Sequence, residues 1–305
     1  MRLNRNAGID VSQVTDRRGL IGRLGAGPGG WLTGIVLSIA ARKGGVRGFL
    51  IALVLLFLGS LGIHAITNRG DNSSIKKECA ASNATDQLDC RNVLYINSIQ
   101  GYWSQALPQV FGVRYTEADT VFFSGKTKTD CGDADSGTGP FYCPEDKLVY
   151  LDLSFYNELA GQLGAPGEFA QPYVLAHEYG HHVQDLIGTE NAMRAAEKRR
   201  PDDANKLSVM LELQADCYAG VWAKNATGTD DAQGHKIFES ITDQDIQQGL
   251  DTAAAIGDDT LQKEAGKPVD EQGFTHGSSA DRQKWFRTGH DSGDPKSCDT
   301  FGSAV

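Results

Sequence analysis

The sequence predicts an α+β domain preceded by one transmembrane helix. Two strand-like segments, at 120–125 and 147–156, are rich in aromatic and branched residues and partly alternate apolar with polar side chains. From residue 171 onward the apolar residues instead recur at helical spacing. Because the few strands come first and several helices follow, the domain is assigned to the α+β class. The transmembrane helix is predicted from an uninterrupted apolar run at 48–67.

That run, GFLIALVLLFLGSLGIHAIT, has no charged side chain and is near the length that a helix needs to cross a bilayer. Residues 1–47, before it, contain eight basic and two acidic residues, so the N-terminus is expected to stay cytoplasmic. A cleaved signal peptide is the alternative, although its apolar region would be shorter. The expected location is the inner (cell) membrane, with a single pass and the domain on the periplasmic or extracellular side.

Composition divides the chain into four regions. Residues 1–47 form a basic, Gly-rich segment that is expected to be poorly ordered, 48–67 form the anchor, and 68–90 form a polar stalk. Residues 91–305 are expected to form one domain, since no later stretch has the composition of a linker. After the basic segment, residues 48–305 hold 21 basic and 37 acidic residues of the totals of 29 and 39. This acidity argues against a nucleic-acid partner, because binding phosphates needs a basic face.

All six cysteines follow the apolar run, which is typical of a domain that folds in an oxidising compartment. Six cysteines allow fifteen pairings. The pairs Cys79–Cys90 and Cys131–Cys143 are attractive because each closes a short loop, and they leave Cys217 for Cys298. A cysteine zinc site is the alternative, but the sequence contains no C-x-x-C pair.

The helices are predicted from apolar spacing and from their end signals. Residues 91–112 have helical spacing that is broken near Pro108. The Gly/Asp-rich stretch 126–146, between the two strands, is predicted to be a loop clipped by a disulfide. Four later helices are predicted at 171–188, 202–226, 241–257 and 278–289, and all but the second begin with a proline or hydroxyl cap and end at a glycine.

The first of these four helices contains the stretch VLAHEYGHHVQ, in which His177, Glu178 and His181 match the pattern H-E-x-x-H. Residues four apart project from the same face of a helix, so the two histidines can offer nitrogens to one Zn²⁺ ion. Glu178 lies beside the first ligand, where it can hold a zinc-bound water. A catalytic zinc site needs a third protein ligand, which has to come from another segment.

The helix predicted at 202–226 contains LELQADCYAG, in which Glu212 and Asp216 are again four residues apart. Glu212 could complete a site of two histidines and one glutamate. Asp216 could accept the outer N–H of a ligand histidine and so fix its tautomer. Ala215, between them, leaves room for close packing of this helix.

HEYGHHVQ followed by ELQADCYAG resembles the gluzincin-type neutral zinc metallopeptidases, and more closely a family of neutral zinc metallopeptidases found as single-span bacterial membrane proteins. The resemblance includes the flanking stretches 139–156, 241–259 and 274–289 and the motif DRRG at 16–19. It implies a zincin-like domain with a small sheet and several packed helices, which binds one Zn²⁺ per chain and hydrolyses peptide or protein substrates. Mapped residue by residue, the resemblance implies that zinc is bound by His177, His181 and Glu212, that Glu178 is the general base, and that Asp216 is the supporting aspartate.

Further polar residues are open to two interpretations. His276 precedes a predicted helix and could donate to a developing oxyanion, or it could be an ordinary loop histidine. His182 projects roughly 100° away from His181 on the helix and is not expected to share the ion. Arg282 is expected to have a structural role rather than to bind substrate carboxylates, and Gln184 and Asp185 are expected at the helix surface.

Two other functions fit the same residues. A zinc-stabilised, membrane-tethered binding or scaffolding module without turnover would contain the same ligands, and so would a zinc hydrolase of a non-peptide bond. An open zinc position beside an accessible groove would favour the peptidase, whereas a cleft filled by residues 126–146 would favour the module. The physiological substrate, the cleavage preference and the oligomeric state are not encoded in any pattern of the sequence.

Overall fold

The computed structural model describes residues 1–18, 72–161, 164 and 167–304. Its nine described α-helices are α1 Ser73–Cys79, α2 Leu88–Phe111, α3 Phe155–Gly161, α4 Ala170–Ile187, α5 Thr189–Arg199, α6 Ala204–Asn225, α7 Asp243–Ala255, α8 Asp258–Glu264 and α9 Ser279–Ser292. Its described strands are β1 Arg2–Leu3, β2 Val14–Asp16, β3 Thr120–Phe123, β4 Lys126–Thr129, β5 Gly132–Asp135, β6 Phe141–Cys143, β7 Leu148–Asp152 and β8 Phe238–Ser240. The short strands and the many helices confirm the α+β class.

A four-stranded sheet in the order β2-β3-β7-β6 forms one layer of the domain. Strands β2, β3 and β7 are parallel, and β6 is antiparallel to β7. Strand β7 therefore lies inside the sheet, and β6 is the edge strand. Strands β4 and β5 form a separate hairpin within 126–146, the stretch predicted to be a loop.

The first residues of the chain belong to this domain, which differs from the predicted separate segment. Strand β1 pairs with β8, and β2 pairs with β3 in the main sheet, where Val14 is fully buried. The side chain of Asn72 covers the outer edge of β2, because its amide nitrogen donates to the Val14 carbonyl and its oxygen accepts the Asp16 N–H. A strand of three residues has too little local pattern to be recognised before its partner is known.

The predicted anchor at 48–67 lies outside the described residues. Within the ranges that the structure does describe, we find no helix that is both long and apolar enough to cross a bilayer. The predicted stalk is partly described: α1 packs against α2 and buries Ile75 completely.

The helices predicted around the site are present, with changed boundaries elsewhere. Helix α2 continues through Pro108 to Phe111 instead of breaking there. The segment predicted as a strand at 147–156 is divided, because the chain turns after Asp152 and α3 begins at Phe155. Helix α9 continues past the predicted glycine end at Gly289, which is buried against another helix.

Small residues let three helices approach closely enough to build the site. A Cβ atom on Gly180 of α4 would lie 3.0 Å from the backbone of Ala215 on α6. A Cβ on Gly289 of α9 would lie 1.9 Å from the Cys217 carbonyl oxygen, which no side chain can occupy. Helix α6 is therefore held between α4 and α9 at backbone contact distance, and polar side chains of all three helices can reach one another.

The structure contains the three disulfides that the sequence favoured: Cys79–Cys90, Cys131–Cys143 and Cys217–Cys298. The first joins α1 to α2, and the second joins the β4–β5 hairpin to the edge strand β6. The third joins α6 to the C-terminal segment beside it. Two of the three therefore brace elements that border the site described below.

Candidate metal centre

Helix α4 presents two histidines to the interior. The rings of His177 and His181 are 4.9 Å apart between centroids, as residues one helical turn apart should be. Glu212, on α6, faces both rings: its Oε2 lies 3.1 Å from His177 Nε2, and its Oε1 lies 3.5 Å from His181 Nε2. The close contact of the two helices at Gly180 makes this approach possible.

Ligand atoms of these three side chains all lie within 4.8 Å of one another. Among the described residues, this is the group of three histidine, cysteine or acidic side chains that is arranged to hold a metal ion. Two imidazoles and one carboxylate are the donor set of catalytic zinc sites that keep one position for water. The residues present therefore fit a Zn²⁺ ion.

Each histidine ring is oriented by a hydrogen bond from its Nδ1 atom. His177 Nδ1–H donates to Asp216 Oδ1 at 2.8 Å, and His181 Nδ1–H donates to Gln184 Oε1 at 2.8 Å. These bonds set the tautomers in which both Nε2 atoms, which face Glu212, carry the lone pair that a metal needs. Gln184 was predicted to lie at the surface, but it is fully buried and its amide nitrogen donates to the Leu211 carbonyl of α6.

Asp216 is the centre of a buried polar network. Arg282 Nε on α9 donates to Asp216 Oδ2 at 2.8 Å, and the Tyr173 hydroxyl donates to Oδ1 at 2.6 Å. Burial raises the pKa of Asp216, but the charges of Arg282 and His177 outweigh it and lower the pKa below its ordinary value. Asp216 is thus held as a carboxylate, and Arg282, with 2% exposure, has the structural role that the sequence favoured.

Glu178 follows His177 directly on α4. Its side chain is buried, and Oε2 accepts the backbone N–H of Tyr142 on β6 at 2.9 Å. Burial raises the pKa of Glu178 to about 7 in spite of this hydrogen bond and the nearby charge of His177. A carboxyl with a pKa near neutrality can both accept and release a proton at physiological pH, as a general base has to do.

The centre lies in a cavity of about 540 Å³. Residues 137–140 line this cavity together with Phe141 and Tyr142 of β6, and so do Ile256, Leu261 and His276. The 126–146 stretch thus borders the cavity and leaves its volume open. A peptide segment can therefore be accommodated beside the metal ligands.

His276 lies at this cavity with a half-exposed side chain. Its Nδ1 is 3.3 Å from Asp258 Oδ1, and the backbone N–H of His276 donates to Asp258 Oδ2 at 2.7 Å. Asp258, which carried no recognisable signal in the sequence, thereby orients the imidazole.

His182 does not join the metal ligands, as its position on the helix predicted. It is almost completely buried, however, and donates from Nε2 to the Thr116 carbonyl at 2.6 Å. Its Nδ1 lies 3.1 Å from the Tyr142 hydroxyl. The bond to Thr116 and the contact with Tyr142 give this histidine a specific set of partners next to the site.

Comparison with known proteins agrees with this geometry. A family model described as "Putative neutral zinc metallopeptidase" matches residues 3–301. The chain is 36% identical over 299 residues to the uncharacterized protein YpfJ of Escherichia coli K12, which covers 97% of this chain and 98% of that protein. It is 45% identical over 220 residues to the uncharacterized protein Rv2575 of Mycobacterium tuberculosis H37Rv, covering 71% of this chain and 72% of that protein. No solved structure matches the chain.

Proposed function

The chain belongs to the neutral zinc metallopeptidase family, and from this premise we propose that it is a zinc-dependent endopeptidase. The observation that supports the proposal most directly is the convergence of His177, His181 and Glu212 beside a buried Glu178. The cavity next to these residues supports an extended peptide as the substrate.

In the proposed reaction, His177, His181 and Glu212 hold the zinc ion. When bound, zinc lowers the pKa of a coordinated water and polarises the scissile carbonyl. Glu178 accepts a proton from the attacking water and then delivers it to the leaving amine. The water oxygen ends in the new carboxylate, the C–N bond breaks to release the amine, and the second proton of the water passes to the amine or to solvent.

His276 is proposed to donate a hydrogen bond to the oxygen of the carbonyl while negative charge develops there. Its place on the cavity wall and the orientation of its ring by Asp258 support this role. Arg282 is buried behind His177, and so it supports the ligand rather than the substrate.

The edge strand β6 is proposed to align the substrate, because an exposed edge can pair with an extended peptide through main-chain hydrogen bonds. Strand β7 cannot do this, since β3 and β6 flank it. Phe141 and Tyr142 of β6 line the cavity next to Glu178.

Metal analysis of the freshly purified full chain tests the proposal. We expect close to one zinc per chain, hydrolysis of a peptide library, loss of hydrolysis on chelation, and recovery when zinc is restored. The full chain is needed, because a version that starts at residue 68 would lack β2 of the main sheet. Protein that is purified without bound zinc, or activity that survives complete chelation, would contradict the proposal.

We propose further that residues 48–67 attach the protein to the membrane and that residues 1–18 lie on the same side of it as the metal centre. Pairing of β2 with β3 supports this, because a membrane between the two strands would prevent the pairing. A cytoplasmic N-terminus with the domain outside does not fit that contact. The three disulfides favour the periplasmic or extracellular side for both parts.

Cysteine labelling in intact cells tests this arrangement. Asn6→Cys reports on the N-terminal residues and Lys267→Cys on the domain, since both positions are exposed. We expect a membrane-impermeant maleimide to label both variants in intact cells to a similar extent. Labelling of Lys267→Cys in intact cells, with Asn6→Cys labelled only after lysis, would show that a membrane separates the two parts.

A further inference from the structure

Helix α4 carries a second polar stripe beside the metal-binding one. Glu178, His182 and Asp185 follow one another at spacings of four and three residues and so share a face of the helix. This stripe is turned toward β6 and not toward α6. Of its three members, only Glu178 has a part in the proposed reaction.

All three members of the stripe contact the same residue, Tyr142. The backbone N–H of Tyr142 donates to Glu178 Oε2 at 2.9 Å, and its hydroxyl donates to Asp185 Oδ2 at 3.0 Å. His182 Nδ1 lies 3.1 Å from the same hydroxyl, whose single proton can be donated to Asp185 or to this nitrogen, and His182 Nε2–H donates to the Thr116 carbonyl. Tyr142 therefore contacts α4 at both ends, through its main chain and through its side chain.

The backbone N–H of Tyr142 points away from β7, because Tyr142 occupies a non-hydrogen-bonded position of the β6–β7 ladder. Tyr142 lies opposite Val149 of β7, but its N–H is directed to Glu178. In an antiparallel pair, the N–H and C=O of one residue point to the same side, so the Tyr142 carbonyl also faces away from β7. The residue that contacts the general base is thus the residue that offers an acceptor to a peptide lying along the edge.

We propose that Tyr142, held by His182 and Asp185, is a positioning residue that fixes Glu178 relative to the substrate-binding edge of β6. This inference rests on the proposed peptidase function. The four residues form a unit that we call the Tyr142 clamp. The clamp sets the distance between β6, which aligns the peptide, and the carboxylate of Glu178, which acts as the general base. His182, which the sequence predicted not to bind the metal, acts on the position of Glu178 through Tyr142.

Removing the Tyr142 hydroxyl tests the clamp with the smallest change. We expect Tyr142→Phe to lower kcat about 10- to 100-fold, because displacement of a reacting group by about an ångström has an effect of this size. KM should change less than about twofold, since the peptide-binding edge itself is retained. Bound zinc should stay at the wild-type ratio, because no ligand is altered.

His182→Gln tests the other half of the clamp and should lower kcat to a similar extent. The kcat of the double variant should fall no further than that of the more strongly affected single variant, because both changes act through one contact. Should His182→Gln fail to fold, Asp185→Ala takes its place, since it removes the acceptor of the same hydroxyl together with the ion pair from Lys147. The matched control is Tyr150→Phe, which removes a buried hydroxyl that donates to Asp146 at 2.6 Å in the same sheet.

Amide hydrogen exchange gives a readout that does not depend on turnover. We expect the peptide covering 139–146 to exchange faster in Tyr142→Phe and His182→Gln than in the wild type or in Tyr150→Phe. If the wild type hydrolyses no peptide but exchange changes as expected, the proposed function fails and the clamp stands. The clamp is overturned if Tyr142→Phe and His182→Gln both keep wild-type exchange and wild-type kcat. It is also overturned if Tyr150→Phe lowers kcat as much as they do, or if they lose their bound zinc.

Discussion

Replacing Glu178 with glutamine should lower kcat at least about 1,000-fold while zinc stays bound at one per chain, because general acid–base catalysis contributes factors of this order. Glutamine has nearly the shape of glutamate and can still accept the Tyr142 N–H through its amide oxygen. It cannot take a proton from water. The change therefore separates proton transfer from metal binding and from the shape of the site.

Steady-state kinetics, with zinc measured on the same preparation, checks this prediction. Glu168→Gln is the matched control, since Glu168 is an exposed glutamate just before the same helix. It should keep wild-type kcat and zinc content. A Glu178→Gln variant that hydrolyses peptides at the wild-type rate would remove Glu178 from the role of general base.

Replacing Glu212 with glutamine should weaken zinc binding roughly 100-fold or more. Loss of a residue that only hydrogen-bonds to a ligand typically weakens metal binding about 10- to 100-fold, and loss of a ligand itself should weaken it more. The carboxylate is the one anionic group among the three ligands, and its oxygens lie within 3.1 and 3.5 Å of the two histidine Nε2 atoms. Burial raises the pKa of Glu212, but the neighbouring His181 and His177 outweigh it and keep this pKa below its ordinary value. It is therefore present as a carboxylate over the pH range in which a peptidase would act.

Zinc titration of the apo form and thermal unfolding with and without zinc measure this effect. The wild type should gain stability with zinc, and the variant should gain much less at the same zinc concentration. Glu264→Gln, which changes an exposed glutamate at the end of α8, should behave as the wild type does. Wild-type zinc affinity in Glu212→Gln would mean that a different residue supplies the third ligand.

These predictions concern the two helices whose contact builds the site. Helix α4 supplies two of the proposed ligands and the proposed base, and α6 supplies the third proposed ligand and Asp216. Gly180 and Ala215 allow the helices to meet at backbone distance. The proposed metal ligands and the small residues that let the two helices meet thus occur in the same two motifs.

Periodicity was sufficient to predict the pattern inside each helix. His177 and His181 had to share a face, and so did Glu212 and Asp216, because a helix repeats every 3.6 residues. The same argument separated His182 from the metal ligands, and the structure places it away from them. Local end signals also predicted where α4 and α7 begin and end, to within a few residues.

Long-range partners could not be predicted in this way. Gln184 was expected at the surface, but it is buried because α6 packs over it and accepts its amide. Strand β2 is only three residues long and becomes a strand by pairing with β3, more than a hundred residues later. The contacts of Asp258 with His276 and of Tyr142 with Glu178 likewise join different elements.

The sequence by itself determined the chemistry of the metal centre, because ligand type and helical spacing are local properties of two short motifs. Only the tertiary structure decided which residues support those ligands and which strand forms the edge of the cleft. It also decided that residues 1–18 belong to the domain. These features depend on contacts between distant segments, whose energy comes from burial and pairing in the folded chain and leaves no repeating pattern in the sequence.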